Sequence, residues 1–267
     1  MRRVPAVAGQ FYERDRERLR KQVASLVEAD APREAVKGLL APHAGLMYSG
    51  AVAGSVYSRI KFPRSFVLLG PNHTGMGLPV AMMDEGEWEV PTGLLAVNTA
   101  LARSISREVP LVRPDSEAHA FEHSLEVQLP FVAHFAPEAS IVPIAIMVAG
   151  LAELLQMGEG IARAIAGAGY PVTVAASSDM SHFLPEDVAR ARDRLAIERI
   201  LELDAEGLYE VVRRENISMC GYMPTVVMLA ASRALGATGA ELVRYATSAE
   251  VTGDYRSVVG YAGVLVK

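Results

Sequence analysis

The stretch YPVTVAASSDMSHFL, residues 170–184, joins a strand-like run to two ionisable residues. It begins with an apolar run typical of a buried strand, and an aspartate and a histidine, Asp179 and His182, follow that run. Two earlier strand-like runs, GLLAPHAG and SFVLLGPNH, end in the same way with His43 and His73. Ligands of α/β sheets bind outside the carboxyl ends of strands. These strand ends therefore predict one shared pocket.

Helical and strand-like patterns alternate on both sides of this stretch. A charged amphipathic helix over residues 14–30 precedes a strand at 36–42, and a helix rich in small residues over 48–60 leads to a strand at 65–71. The alternation predicts an α/β fold, a three-layer sandwich in which helices flank a mixed, mostly parallel sheet. No repeat or linker interrupts the chain, so we expect residues 1–267 to form a single domain.

The composition limits the classes of partner. The formal net charge is −5 and the sequence pI is about 5.7, so the chain has no general attraction to phosphate backbones or anionic lipid. We therefore expect neither a nucleic-acid partner nor a membrane partner. No signal peptide pattern or long apolar window is present, which predicts a cytoplasmic protein. The single cysteine, Cys220, excludes an internal disulfide.

His43 and His73 are the best candidate pair of metal ligands, because imidazole is the commonest protein ligand and two strand ends can converge on one ion. Cys220 lies just before a predicted helix start at Pro224, where amide dipoles lower the pKa of a thiol and favour the thiolate. A thiolate there would suit a soft metal. The alternative is an inert core thiol, since free cysteine is usually buried.

Asp179 and His182 form a candidate acid/base pair in which the carboxylate orients the imidazole ring or stabilises its protonated form. Serines surround the pair, but the chain has no G-x-S-x-G elbow, which argues against a serine hydrolase.

The segment EAHAFEHSLEVQLP, predicted to be helical up to its last residue, holds the ionisable residues His119, Glu122, His123 and Glu126. Their helical spacing places all four on one side. The cluster either orients metal ligands or substrate, or forms a capping and salt-bridge face. Glu122 and His123 are the better functional candidates.

Seven segments in order, PAVAGQFY, APHAGLMYSG, LLGPNH, EAHAFEHSLEVQLPF, SSDMSHF, MCGYMP and VGYAGVLV, resemble the Memo family. Bacterial and archaeal members of this family are called AmmeMemoRadiSam system protein B. The resemblance spans nearly the whole chain and implies a single Memo-like domain. It also implies a fold similar to class III extradiol dioxygenases, which use a non-haem iron held by two histidines and one glutamate.

The resemblance implies a metal-binding trio of His43, His73 and Cys220, with Asp179 and His182 beside it as acid/base groups. A thiolate in place of the dioxygenase carboxylate makes the site softer and favours copper(I), zinc or thiolate-ligated iron. We expect iron or copper, with zinc as a further candidate. Because function belongs to the site and not to the fold, catechol cleavage cannot be inherited.

The resemblance also implies that Phe11, Tyr12 and Tyr48 line the pocket, with Phe11 standing where animal members have tryptophan. Two functions stay open. The first is a metal-dependent redox enzyme or oxygenase of unknown substrate. The second is a non-catalytic adaptor that binds metal, peptide or a small molecule and acts with radical SAM and AMMECR-type proteins. Animal Memo proteins bind phosphotyrosine peptides, which motivates the second.

Overall fold

The computed structural model describes residues 1–267 and contains twelve strands and nine α-helices. The strands are β1 (Arg2–Arg3), β2 (Gly38–Ala41), β3 (Ser65–Pro71), β4 (Val80–Met82), β5 (Glu87–Val90), β6 (Gly93–Ala96), β7 (Arg113–Pro114), β8 (Ser140–Ile146), β9 (Val172–Ser177), β10 (His182–Leu184), β11 (Ala240–Thr247) and β12 (Val258–Val266). The helices are α1 (Arg16–Leu26), α2 (Leu46–Ser58), α3 (Thr99–Glu108), α4 (Leu129–Phe135), α5 (Leu151–Ala166), α6 (Glu186–Leu201), α7 (Ala205–Arg214), α8 (Tyr222–Ala234) and α9 (Ala249–Thr252).

Nine strands form the main sheet in the order β10-β12-β2-β9-β3-β8-β4-β7, with β11 also paired to β12. Strands β2, β9, β3 and β8 run parallel to one another, and the antiparallel pairs lie towards the edges. Every residue of β2, β3 and β9 is buried, as expected for parallel strands covered on both faces. The predicted mixed sheet flanked by helices is confirmed.

Successive side chains of the central strands point to opposite faces of the sheet. Leu40 and Val67 belong to the larger apolar core, which helices α3, α5, α6, α7 and α8 complete. Their chain neighbours Leu39 and Phe66 belong to the second core, which α1, α2 and α4 complete. The sheet is therefore the middle layer of three.

The segment before α4 differs from the helix predicted there. It forms two short 3₁₀ turns, Glu117–His119 and Glu126–Gln128, and the α-helix begins at Leu129. Pro130 therefore starts the helix instead of ending it, because the first turn of a helix needs no amide donor from proline. The four ionisable side chains of this segment do not share one helix face.

A small second sheet holds the N-terminus. Strand β1 pairs in parallel with β5, and β5 pairs with β6 as a hairpin. This arrangement brings the first residues of the chain beside the segment that precedes α4. None of the nine helices has the length and apolar content that crossing a membrane requires.

Helix α2, which follows His43, packs closely against the end of α1 at Gly54. A Cβ atom at this position would overlap the backbone carbonyl of Leu26. We expect Gly54→Ala to lower the free energy of unfolding by about 1–3 kcal/mol, because the overlap outweighs the gain in helix propensity. Urea denaturation measures the change. In the control variant Gly167→Ala the new Cβ would meet only atoms at 3.6 Å or beyond, so its stability stays near that of the wild type. A Gly54→Ala protein as stable as the control would contradict the close packing.

Candidate functional site

The three parallel strands at the centre of the sheet deliver the first site residues. His43, His73 and Asp179 each lie two residues beyond the last residue of β2, β3 and β9. Because these strands run in the same direction, their carboxyl ends meet at one edge. All three residues line one cavity of about 500 Å³, which we call the site cavity. The predicted shared pocket is present.

His43, His73 and His123 form a compact group. Each offers one ligand atom, and these atoms lie within 4.8 Å of one another. The ring centroids of His73 and His123 are 4.7 Å apart, and both lie within 5.4 Å of the His43 centroid. This group can bind a metal ion. His123 comes from the loop before α4, so strand-end reasoning did not include it among the ligands.

The buried carboxylate of Glu122 binds the ring of His73 and lies close to the ring of His123. It accepts hydrogen bonds from Nδ1 of His73 at 2.9 Å and from the backbone amides of His73, His123 and Ser124. Nδ1 of His123 lies 3.5 Å away. Burial opposes ionisation of Glu122, but the hydrogen bonds from His73 and Ser124 outweigh it and lower its pKa to about 2. The carboxylate therefore stays ionised and orients the rings, as carboxylates do behind metal-binding histidines.

The hydrogen bonds of His43 determine its tautomer. The Ser177 hydroxyl donates to the carbonyl of Ser124 at 2.7 Å and accepts from the Gln128 amide at 2.8 Å. It must therefore accept from Nδ1 of His43, which lies 2.8 Å away. Nε2 of His43 therefore keeps its lone pair, and in a neutral His73 ring, whose Nδ1 donates to the Glu122 carboxylate, the lone pair also lies on Nε2. Burial, with His123 and His73 nearby, holds the pKa of His43 well below its usual value, so the ring is neutral.

Cys220 lies beside His43, with Sγ 3.2 Å from Nε2. Two ligands of one zinc-sized ion, with bonds of about 2.0 Å and 2.3 Å, lie roughly 3.5 Å apart. The measured separation fits this chemistry, although Cys220 is not part of the three-histidine group. The expected lowering of the thiol pKa is wrong: burial, and then the Asp179 carboxylate, raise the pKa of Cys220. The thiol is therefore protonated and donates to His43.

The predicted contact between the Asp179 carboxylate and the His182 ring is also wrong. Oδ1 of Asp179 accepts from the backbone amides of His43 at 2.8 Å and Ala44 at 3.3 Å, so it holds the loop after β2. Burial raises the pKa of Asp179. The carbonyl of Ser218 instead accepts from Nδ1 of His182 at 2.8 Å, and the Ser218 hydroxyl accepts from the backbone amide of His182 at 2.7 Å. Asp179 and His182 both line the site cavity.

Two of the three aromatic residues predicted for the pocket lie in it. Phe11 and Tyr48 line the site cavity, and the Phe11 ring lies 4.7 Å from that of His123. Tyr12 does not line it. Its hydroxyl is buried and donates to the Glu126 carboxylate at 2.5 Å. Phe11 belongs to a turn in which its amide donates to the carbonyl of Val7, whereas Tyr12 follows the turn and makes a bridge with Ala8.

Arg3, which sequence reasoning missed, holds the loop that carries Glu122 and His123. Its buried guanidinium is ion-paired with Glu126 and donates to the carbonyls of His119 at 3.0 Å and Glu122 at 2.7 Å. The only sequence signal for this role is an arginine in the extended N-terminal segment. Its partners lie more than 100 residues away, so no local pattern reveals them.

His119 lies in the buried region around Arg3 and does not line the site cavity. It lies edge-on to Trp88, with ring centroids 5.6 Å apart, and neither ring nitrogen has a hydrogen-bond partner of good geometry. Burial, and then the nearby Arg3, lower its pKa to about 4. His119 is therefore neutral near pH 7.

The low pKa of His119 predicts acid sensitivity. An unfolded histidine binds a proton below about pH 6.5, whereas folded His119 does so only near pH 4. Between these values the unfolded chain binds more protons, so the free energy of unfolding falls as the pH is lowered, by about 3 kcal/mol in all. In His119→Leu this part of the fall is absent. Urea unfolding of both proteins at about pH 7.5 and about pH 4.5 measures it. Equal losses in the two proteins would show that His119 does not contribute.

The sequence matches a known protein family and several of its curated members. A family model described as Memo-like protein matches residues 3–265. A MEMO1 family protein of Methanothermobacter thermautotrophicus is 43% identical, covering 98% of this chain and 99% of its own. A MEMO1 family protein of Methanopyrus kandleri is 41% identical, covering 100% and 99%. One from Aquifex aeolicus is 40% identical, covering 98% of each.

Among solved structures, an uncharacterized protein from Escherichia coli K12, JW3007, is similar with a TM-score of 0.54. The alignment covers 86% of this chain and 99% of that one at 14% identity, which supports the fold alone. The family match spans nearly the whole chain, and the curated relatives are full-length matches. The chain therefore belongs to the Memo-like family.

Proposed function

We propose that the protein is a metal-dependent redox enzyme or oxygenase whose ion is held by His43, His73 and Cys220. One observation carries the proposal. Nδ1 of His43 and Nδ1 of His73 each donate a hydrogen bond within the protein, which leaves Nε2 of each ring for an ion, and the two histidines belong to one compact group of potential ligands. This is the state that ligation by imidazole requires.

The third ligand separates this proposal from a site made of histidines alone. Cys220 is favoured because its sulfur lies next to Nε2 of His43, and the family resemblance assigns it to the metal. His123 is the alternative, since it belongs to the compact group. Binding of an ion would displace the proton of the Cys220 thiol, and two imidazoles and a thiolate favour iron or copper over harder ions. Such an ion would supply electron transfer and oxygen activation.

Asp179 and His182 would accept and donate protons beside the ion. Nδ1 of His182 donates to the Ser218 carbonyl, so in the neutral ring Nε2 carries the lone pair and would accept a proton from a bound ligand. One oxygen of Asp179 holds backbone amides, and the other makes no hydrogen bond within the protein. Each therefore keeps one atom available in the cavity.

Metal content tests the ligand assignment. After anaerobic purification and loading with iron(II) or copper(I), we expect His43→Ala, His73→Ala and Cys220→Ser to lose stoichiometric binding. His123→Gln should keep it, and His134→Ala, whose ring lies on α4 away from the site cavity, is the matched control. Circular dichroism checks that each variant folds. If Cys220→Ser binds metal and His123→Gln does not, the third ligand is His123. Unchanged metal content in His43→Ala and His73→Ala refutes the site.

Turnover tests the role of His182. Oxygen consumption is measured with the metal-loaded protein across catechols and other small reductants. We expect His182→Ala to keep its metal while turnover falls by roughly 10²- to 10⁴-fold, the usual range for a lost general acid or base. Loss of the metal would show that His182 is itself a ligand. A wild-type protein that binds metal but turns over none of these compounds would instead favour the non-catalytic adaptor.

A further inference from the structure

The wall of the site cavity carries no fixed positive charge. No lysine or arginine lines it, and Asp179 is its only carboxylate. Proteins that bind phosphate or carboxylate groups generally place arginine or lysine against them. The remaining wall is aromatic and hydroxylic, with Phe11, Tyr48, Phe183 and Tyr261 among its side chains. Aromatic side chains of this kind favour flat, uncharged ligands.

Phe183 is the most unusual of these residues. Its φ is 59°, in the left-handed region that side chains larger than glycine rarely adopt, and its surface is 76% exposed. The pairing of β10 with β12 is irregular between His182 and Leu184, which turns Phe183 outwards at the cavity. The residue therefore adopts an unfavourable backbone conformation and gains little burial in return.

The two other non-glycine residues with positive φ have structural explanations. Leu203 and Asn216 each follow the capping residue at the end of a helix, α6 and α7, where a left-handed residue commonly terminates the helix. Leu203 is also buried, and asparagine tolerates this conformation. Phe183 follows a strand residue and has neither explanation. Strained residues of this kind cluster at ligand sites.

We propose that Phe183 is a ligand-contacting residue that covers the site cavity and selects an uncharged aromatic small molecule by stacking on it. A cavity of about 500 Å³ is within the range for such ligands. This inference rests on the proposed function in one respect, because it names the class of ligand that the same site would bind. Neither the position of the ring nor the absence of cations from the wall depends on a bound metal.

Fluorine NMR titration of the full, metal-free chain tests the proposal with 4-fluorophenol and 4-fluorophenyl phosphate as probes. The two probes share a ring and differ in charge. We expect 4-fluorophenol to bind the wild type and the phosphate to bind at least about tenfold more weakly. Phe183→Ala should weaken 4-fluorophenol by about three- to tenfold, the range expected for one lost aromatic pair. Phe183→Trp should retain it. Phe121→Ala, which removes an exposed phenylalanine outside the cavity wall, is the control.

A folding measurement separates a ligand role from a structural one. Phe183→Gly relieves the left-handed strain, so its melting temperature should equal or exceed that of the wild type while 4-fluorophenol binding falls. Unchanged affinity in Phe183→Ala, tighter binding of the phosphate, or no binding of 4-fluorophenol would each overturn the proposal. A marked drop in the melting temperature of Phe183→Gly would assign Phe183 to folding. Because this titration uses metal-free protein, its result is independent of whether His43 and His73 bind an ion.

Discussion

The parallel pairing of β2, β9 and β3 gives this protein both its layered core and the position of its site cavity. Parallel strands need helical crossovers, and those helices bury both faces of the sheet in two separate cores. The same pairing places three carboxyl ends at one edge, where His43, His73 and Asp179 follow at the same offset. The strands are buried along their whole length, so their register is strongly specified. The fixed register of these strands also fixes the positions of the site residues that follow them.

The loop before α4 needs a second constraint, because a loop has no register of its own. Arg3 and Glu126 provide it through a buried ion pair whose remaining donors and acceptors are almost all used. The guanidinium binds two carbonyls of the loop, and the carboxylate accepts the amides of Ala6 and Val7. A buried pair of charges is tolerated only when it is satisfied in this way. The result is a fixed position for the loop that carries Glu122 and His123.

The hydrogen-bonding partner of each histidine determines which ring nitrogen faces the site. The serine behind His43, the carboxylate behind His73 and the carbonyl behind His182 all accept from Nδ1, so Nε2 is the lone-pair donor of each ring in its neutral form. A neighbouring thiol and a cavity wall without cations distinguish the site further. The fold alone specifies none of these features, since one fold supports many reactions.

Sequence patterns were enough to predict the α/β alternation, the mixed sheet, and the meeting of His43, His73 and Asp179 at one edge. These features depend on local periodicity and on a general rule of parallel sheets, so nearby residues suffice to predict them. Three outcomes needed the folded structure: His123 joins the other histidines, Ser218 orients His182, and Tyr12 points away from the site cavity. The reason is physical: each of these outcomes depends on a hydrogen bond or a burial set by residues distant in the chain. The pKa of the Cys220 thiol shows the same limit, because burial outweighs the helix start that its sequence position suggested.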